Sequence, residues 1–149
     1  MTPASVPAPA RTAARSWAGA VLVLAAAGAL WFAWLGWDTT YDVDPVTGRR
    51  SGPYSWWQVA GFVLSAGALV VIVRRFLPAA AIVPAAAIVP AMALGIAGGF
   101  ALSARGDDSG LAGIGVVMIL LGSAAGTALL LALARILPGA RARPGIAPR

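Results

Sequence analysis

The chain has 149 residues, 60% hydrophobic and 11% charged, with a mean hydropathy of +0.84 and a net charge of +6. A soluble domain of this size needs far more polar surface, so the composition places the chain among membrane proteins. Cys, His, Lys and Glu are absent, which excludes disulfides, thiolate and imidazole chemistry, Schiff bases and the usual intramembrane proton carrier.

Residues Met1 to Ser16 are mostly Ala, Pro, Thr and Ser with Arg11 and Arg15, and they read as a disordered tail. The segment from Trp17 to Trp37 then runs without a charge. About 20 helical residues cross a hydrocarbon core of roughly 30 Å, so residues 17–37 are long enough to span. A signal peptide is the competing reading, but its apolar region would run only about 7–15 residues. Trp31, Trp34 and Trp37 recur every three residues, and with Tyr41, Tyr54, Trp56 and Trp57 they imply an aromatic belt at the membrane boundary.

Residues 38–55 hold most of the chain's polar chemistry. Asp44-Pro45-Val46-Thr47 matches a type I turn, with Asp first and Pro second, and Gly48 suits the left-handed residue that follows. The flanks, Thr40–Val43 and Arg49–Ser51, allow a short extracellular β-hairpin, with Asp42 near Arg49 or Arg50 across the pair. Asp38, Asp42 and Asp44, joined by Asp107 and Asp108, allow a hard-cation reading. They lack the Gly and distal Glu of an EF-hand loop, and the arginines compete for them, so no metal or other cofactor is expected. Asp42, Asp44, Arg49, Arg50 and Tyr54 are the residues expected to meet a partner.

The second span covers about residues 56–73 and ends at Arg74-Arg75. Ser55 and Gln58 have capping-box spacing, with the Ser hydroxyl on the Gln58 amide and the Gln side chain reaching back. The third span, about 78–104, opens with two identical copies of Ala-Ala-Ala-Ile-Val-Pro, so Pro84 and Pro90 should kink it. The fourth covers about 111–134, capped by Asp108 or Ser109. Residues 138–149 read as a second disordered tail. The fold expected over 17–137 is therefore all-α, four transmembrane helices in an up-down bundle.

Lipid tails are as apolar as Leu, so helix association depends on small residues and a few polar contacts. Gly95 with Gly99, and Gly122 with Gly126, have the spacing for close backbone approach, and Gly61 with Ser65 is a weaker version. Packing within the bundle accounts for these pairs first, with a homo-oligomer as the alternative.

Arginine placement sets orientation. Arg11, Arg15, Arg74, Arg75, Arg135, Arg141, Arg143 and Arg149 fall on one side; Arg49, Arg50 and Arg105 fall on the other with all the aspartates. The positive-inside rule puts both termini in the cytoplasm, the chain in the plasma membrane and the 38–55 loop outside. Arginines scattered along membrane edges also argue against a nucleic-acid partner.

The run Asp44-Pro45-Val46-Thr47-Gly48, Gly52-Pro53-Tyr54 and Trp57-Gln58-Val59, set between the first two of four spans, resembles a pattern in small uncharacterised membrane proteins of high-GC Gram-positive bacteria. An Arg-, Ala-, Gly- and Pro-rich chain without Lys or Asn fits such a genome. The resemblance implies topology and localisation and carries no activity. No span holds an ionisable residue of the kind that ion-coupled transporters and intramembrane enzymes keep at depth. The sequence therefore points to a non-enzymatic accessory or scaffold protein that meets a membrane-protein partner through its outer loop. The alternative is a small oligomeric transporter or channel component.

Overall fold

The computed structural model describes residues 8–38, 40–76, 85–107 and 110–136, with the side chains of 8–15, 42, 50, 51, 76 and 85 left aside. It is all-helical: α1 is Ala8–Trp34, α2 Trp56–Phe76, α3 Ala85–Ser103 and α4 Ala112–Ile136. All four are long and apolar enough to cross a membrane. Their outward faces carry large apolar side chains such as Leu64, Met118, Leu121 and Leu129. A surface of that kind suits a lipid bilayer and would be an aggregation hazard in water.

One boundary differs from the sequence reading. Helix α1 starts at Ala8, inside the segment expected to be a disordered tail. Pro9 is tolerated in a first helical turn, where its missing N–H leaves no bond unmade, and the alanines around it are the strongest helix formers. In the third span the described helix, Ala85–Ser103, includes Pro90. The first repeat copy, the Asp108 and Ser109 caps and the 138–149 tail lie outside the described residues.

Helix α3 is the centre of the bundle. Ala91, Met92 and Ala93 are consecutive and all buried, which only a helix covered on several sides allows. Two neighbours supply most of that cover. Helix α1 offers Val23, Ala27 and Trp31, with Leu35 just past its end, one buried residue every fourth position, and lies parallel to α3. The register is fixed by close approach: a side chain on Gly95 would collide with the Leu24 carbonyl and lie 2.8 Å from the Ala27 Cβ, and one on Gly99 would lie 2.7 Å from the Trp31 Cβ. Gly95 and Gly99 are points of close approach between α3 and α1 within the chain. Helix α4 runs back along α3, with the Phe100 ring covering Gly115. Helix α2 runs back along α1, with the Trp34 ring on Gly61 and its indole N–H donating to Ser65 Oγ at 3.1 Å. The Gly61–Ser65 pair is therefore a seat for one tryptophan.

Gly122 and Gly126 differ. Nothing lies within 4 Å of a Cβ placed on either, so an added methyl there would meet no neighbouring helix.

The contrast among glycines of α3 can be measured. Gly95→Ala should lower stability by about 1–3 kcal/mol, the usual cost of overpacking. Gly98→Ala, with nothing within 4 Å of its added methyl, should be neutral or slightly stabilising. Unfolding of both variants in mild detergent checks the difference, and equal effects would contradict the packing described here.

Candidate functional site

The candidate site lies at the end of the bundle that carries the α1–α2 loop and the α3–α4 turn. Its foundation is Trp31, 4% exposed although it belongs to the tryptophan series expected to face the membrane boundary. Its indole N–H donates to Ser103 Oγ at 3.1 Å, and Ser103 donates in turn to the Phe100 carbonyl at 2.9 Å. Three rings meet it edge-on: Tyr54 at 6.0 Å, Phe62 at 5.8 Å and Phe100 at 5.5 Å between centroids. Trp34 is half-buried and meets Trp57 at 6.4 Å. Trp37, Tyr41, Trp56 and Trp57 are exposed. The expected belt is corrected to that extent: Trp31 and Trp34 turn inward because Gly99 and Gly61 leave room for large rings between the helices.

Gln58 is the second anchor, fully buried at 0% exposure. Its Oε1 accepts the Ser55 N–H at 2.6 Å, the backward reach of a capping box. The Gln58 N–H itself goes to the Ser55 carbonyl at 3.0 Å, and not to the Ser55 hydroxyl that the capping-box spacing implies. Gln58 Nε2 then donates to Asp38 Oδ2 at 3.1 Å, twenty residues back along the chain. One side chain thus ties the loop's first residue to the start of α2, with a carboxylate as acceptor. Hydrogen bonds to charged groups are the stronger kind, about 1.5–3 kcal/mol.

Between these anchors the loop folds on itself. Asp44 Oδ1 accepts the N–H groups of Val46 at 2.8 Å and Thr47 at 3.2 Å. Gly48 takes φ +66°, the left-handed conformation its position predicts, and its N–H reaches the Asp44 carbonyl at 2.9 Å. The main chain pairs antiparallel over two residues, Asp42 opposite Ser51 and Val43 opposite Arg50. This falls short of the expected β-hairpin. Pro45 and Gly48 occupy one end of the pairing and Gly52 and Pro53 the other, so no run of residues can extend a ladder.

The partner-facing residues are therefore distributed unequally. Asp44 and Arg49 are exposed, with Asp44 committed to its own turn; Val46 at the tip is 90% exposed. The backbones of Asp42 and Arg50 lie in the short pairing, and their side chains fall outside the described residues. Tyr54 is half-buried against Trp31, and burial raises its phenol pKa above the ordinary value, with Tyr41 and Asp38 adding to the shift. Among the described residues no three acidic side chains come together; the Asp42 side chain and Asp108 of the cation reading lie outside them.

Beside the loop is a cleft of about 520 Å³, lined by Tyr41, Pro53 and Tyr54 on one side and by Phe100, Ser103, Arg105 and Asp107 on the other. Phenols, a guanidinium and a carboxylate over an aromatic floor suit recognition by hydrogen bonds and charge. The sequence reading places Trp31 in the aromatic belt and Asp38 in the cation set, and does not join either, or Ser103, to this site. The available signal was the four-residue spacing of Val23, Ala27 and Trp31, which marks one helix face.

Two outcomes follow. Gln58→Ala should free the Asp38 carboxylate and unfasten the loop, seen as faster proteolysis within 38–55 at about 1–3 kcal/mol lower stability. The Val46 and Thr47 N–H bonds hold the Asp44 pKa below its ordinary value of 3.8. A lowered folded-state pKa stabilises the turn fully above the unfolded value, and the contribution is lost as pH falls through the folded one. Protection of the Val46 and Thr47 amides from hydrogen exchange should drop on acidification below the ordinary carboxylate range. Asp44→Asn should remove that dependence.

Comparison with known protein families, characterised proteins and solved structures finds no match to this chain, so the reading of the site rests on its own geometry.

Proposed function

We propose that the chain is a multi-pass membrane protein with both termini cytoplasmic, and that it works as a non-enzymatic accessory or scaffold protein whose 38–55 loop contacts a membrane-protein partner. The observation that carries this reading is the bracing of the loop. It is fastened at Asp38 by buried Gln58, at Tyr54 by Trp31 and at its tip by Asp44, while Val46 and Arg49 stay exposed. A connector needs only enough polarity to stay in water. An ordered loop with an exposed apolar tip has already lost the conformational entropy that binding would otherwise cost, which favours a contact surface.

The orientation rests on charge. Arg74 and Arg75 end α2 and Arg135 lies in the last turn of α4, at the end of the bundle opposite the loop. The chain lacks Cys, so a single Cys at Val46 and another at Arg75 report sidedness without background. An impermeant thiol reagent on intact cells should label the Val46→Cys variant and spare Arg75→Cys; the reverse pattern overturns the orientation.

The partner reading is tested by mild-detergent co-purification and mass spectrometry, comparing the wild type with Val46→Ala/Arg49→Ala. A membrane protein recovered with the wild type and reduced at least tenfold with the variant supports it. Equal recovery, with the variant folded, removes the loop from the contact. The alternative, a small oligomeric transporter or channel component, has one observation on its side: Trp31, which lines a second cleft within the bundle, packs on Tyr54 and Phe100 of the loop-end cleft. Solute flux into liposomes holding the purified protein, absent from empty ones, would favour it.

A further inference from the structure

Helices α2 and α4 do not close over α3. The gap between them is a cleft of about 470 Å³, floored by Met92 and Ile96, walled by Val70 on one side and by Gly122 and Gly126 on the other, and ended by Trp31. Its chemistry excludes a polar occupant. The Trp31 N–H is spent on Ser103, and the Ser123 hydroxyl is spent on the Ile119 carbonyl. Thr127 is the one other polar side chain in the lining, and no ionisable group reaches it. A charged or multiply hydrogen-bonding ligand placed there would lose its solvation without replacement.

Its shape selects among apolar occupants. At one end the walls converge, and a Cβ on Gly67 would lie 3.9 Å from Leu130 Cδ1, at ordinary contact distance. A helix with its side chains is about 10–12 Å across, so it could lie over the cleft but not fill this narrow end. A polymethylene chain, one carbon wide, can lie at about 3.5–4.0 Å from each wall. Along α4 the lining runs from Ile119 to Leu130. At about 1.5 Å per residue that is roughly 18 Å, against about 15 Å for one leaflet of a 30 Å core. Gly122 and Gly126 lower the wall where the chain would lie, whereas Gly95 and Gly99, with the same spacing, are covered by α1.

We propose that the α2/α4 cleft is a groove for one acyl chain of a bilayer phospholipid, seated against Gly122 and Gly126. This rests on the bilayer-spanning reading, which the same experiment reports separately. Wild-type protein is reconstituted in phospholipid vesicles doped with a phospholipid carrying a photoactivatable group midway along one acyl chain, then irradiated and mapped by mass spectrometry. Labelling at Leu121 and Leu133, both exposed on other faces of α4, reports insertion alone. The groove predicts labelling of Val63, Val70 and Ile119 at least fivefold above those positions. Gly122→Leu/Gly126→Leu should abolish the excess and leave Leu121 and Leu133 unchanged, while Ala125→Leu, on an exposed position outside the groove, should keep it. Uniform labelling of the wild type overturns the proposal without reference to any variant. It is equally overturned if groove labelling is missing and the wild type is a dimer that Gly122→Leu/Gly126→Leu converts to monomer, since a second copy then covers the groove.

Discussion

The loop end of this molecule depends on one indole. In lipid there is no hydrophobic drive to bring helices together, so they associate where backbones approach closely and where a few polar groups find partners. Trp31 meets both conditions. It lies against the space left by the missing side chain of Gly99, and its N–H reaches Ser103 one turn further along α3. An indole N–H buried without an acceptor would cost free energy, and Ser103 can accept because its own proton is given to Phe100 in the same helix. The rings of Tyr54, Phe62 and Phe100 then pack edge-on around it, so one side chain of α1 meets α2, α3 and the end of the loop. Tyr54 fixes where the chain enters α2, and that entry point brings Gln58 within reach of Asp38.

Spacing alone did not distinguish the two glycine pairs. Gly95 with Gly99 and Gly122 with Gly126 are equivalent as sequence, both marking a helix face without bulk. Their fates differ because a low face needs a neighbour with the right relief. Helix α1 brings Ala27 and Trp31 at a four-residue interval that matches the α3 pair. Helix α2 approaches α4 near Gly67 and Leu130 and leaves Gly122 and Gly126 uncovered. The difference is a property of the partner helix, which the motif does not contain.

The same reasoning explains what the sequence made legible. Four apolar helices, the Gln58 cap, the Asp44 turn and the left-handed Gly48 each follow from local chemistry, and each could be read from the residues that form it. Which face of a helix turns inward could not be read in the usual way. In a soluble protein the apolar face is the buried one, but here both faces are apolar, since lipid and core make nearly the same demand. The three-residue recurrence of Trp31, Trp34 and Trp37 therefore looked like a boundary belt, although two of the three are internal. The informative positions were the small ones: Gly61 and Gly99 mark where Trp34 and Trp31 lie. The Asp38–Gln58 bond was out of reach for another reason, because it joins residues whose proximity exists only once the loop has closed.

Trp31 also bears on the choice between a scaffold and a conduit. It lines the apolar cleft within the bundle and packs on Tyr54 and Phe100, which line the polar cleft beside the loop, so a path joining the two past these rings would displace the indole. Leaving breaks three edge-on ring contacts, each worth about 0.5–1.5 kcal/mol, and one hydrogen bond of similar size. The sum is roughly 2–6 kcal/mol, and each 1.4 kcal/mol is about a tenfold change in population. An open arrangement would then be held by roughly one molecule in thirty to one in twenty thousand. A transporter would need a ligand that binds the open state better by a comparable margin, and the apolar cleft has neither charge nor a paired polar group with which to do so. The energetics favour a fixed partition, and a fixed partition is what a braced loop requires beneath it.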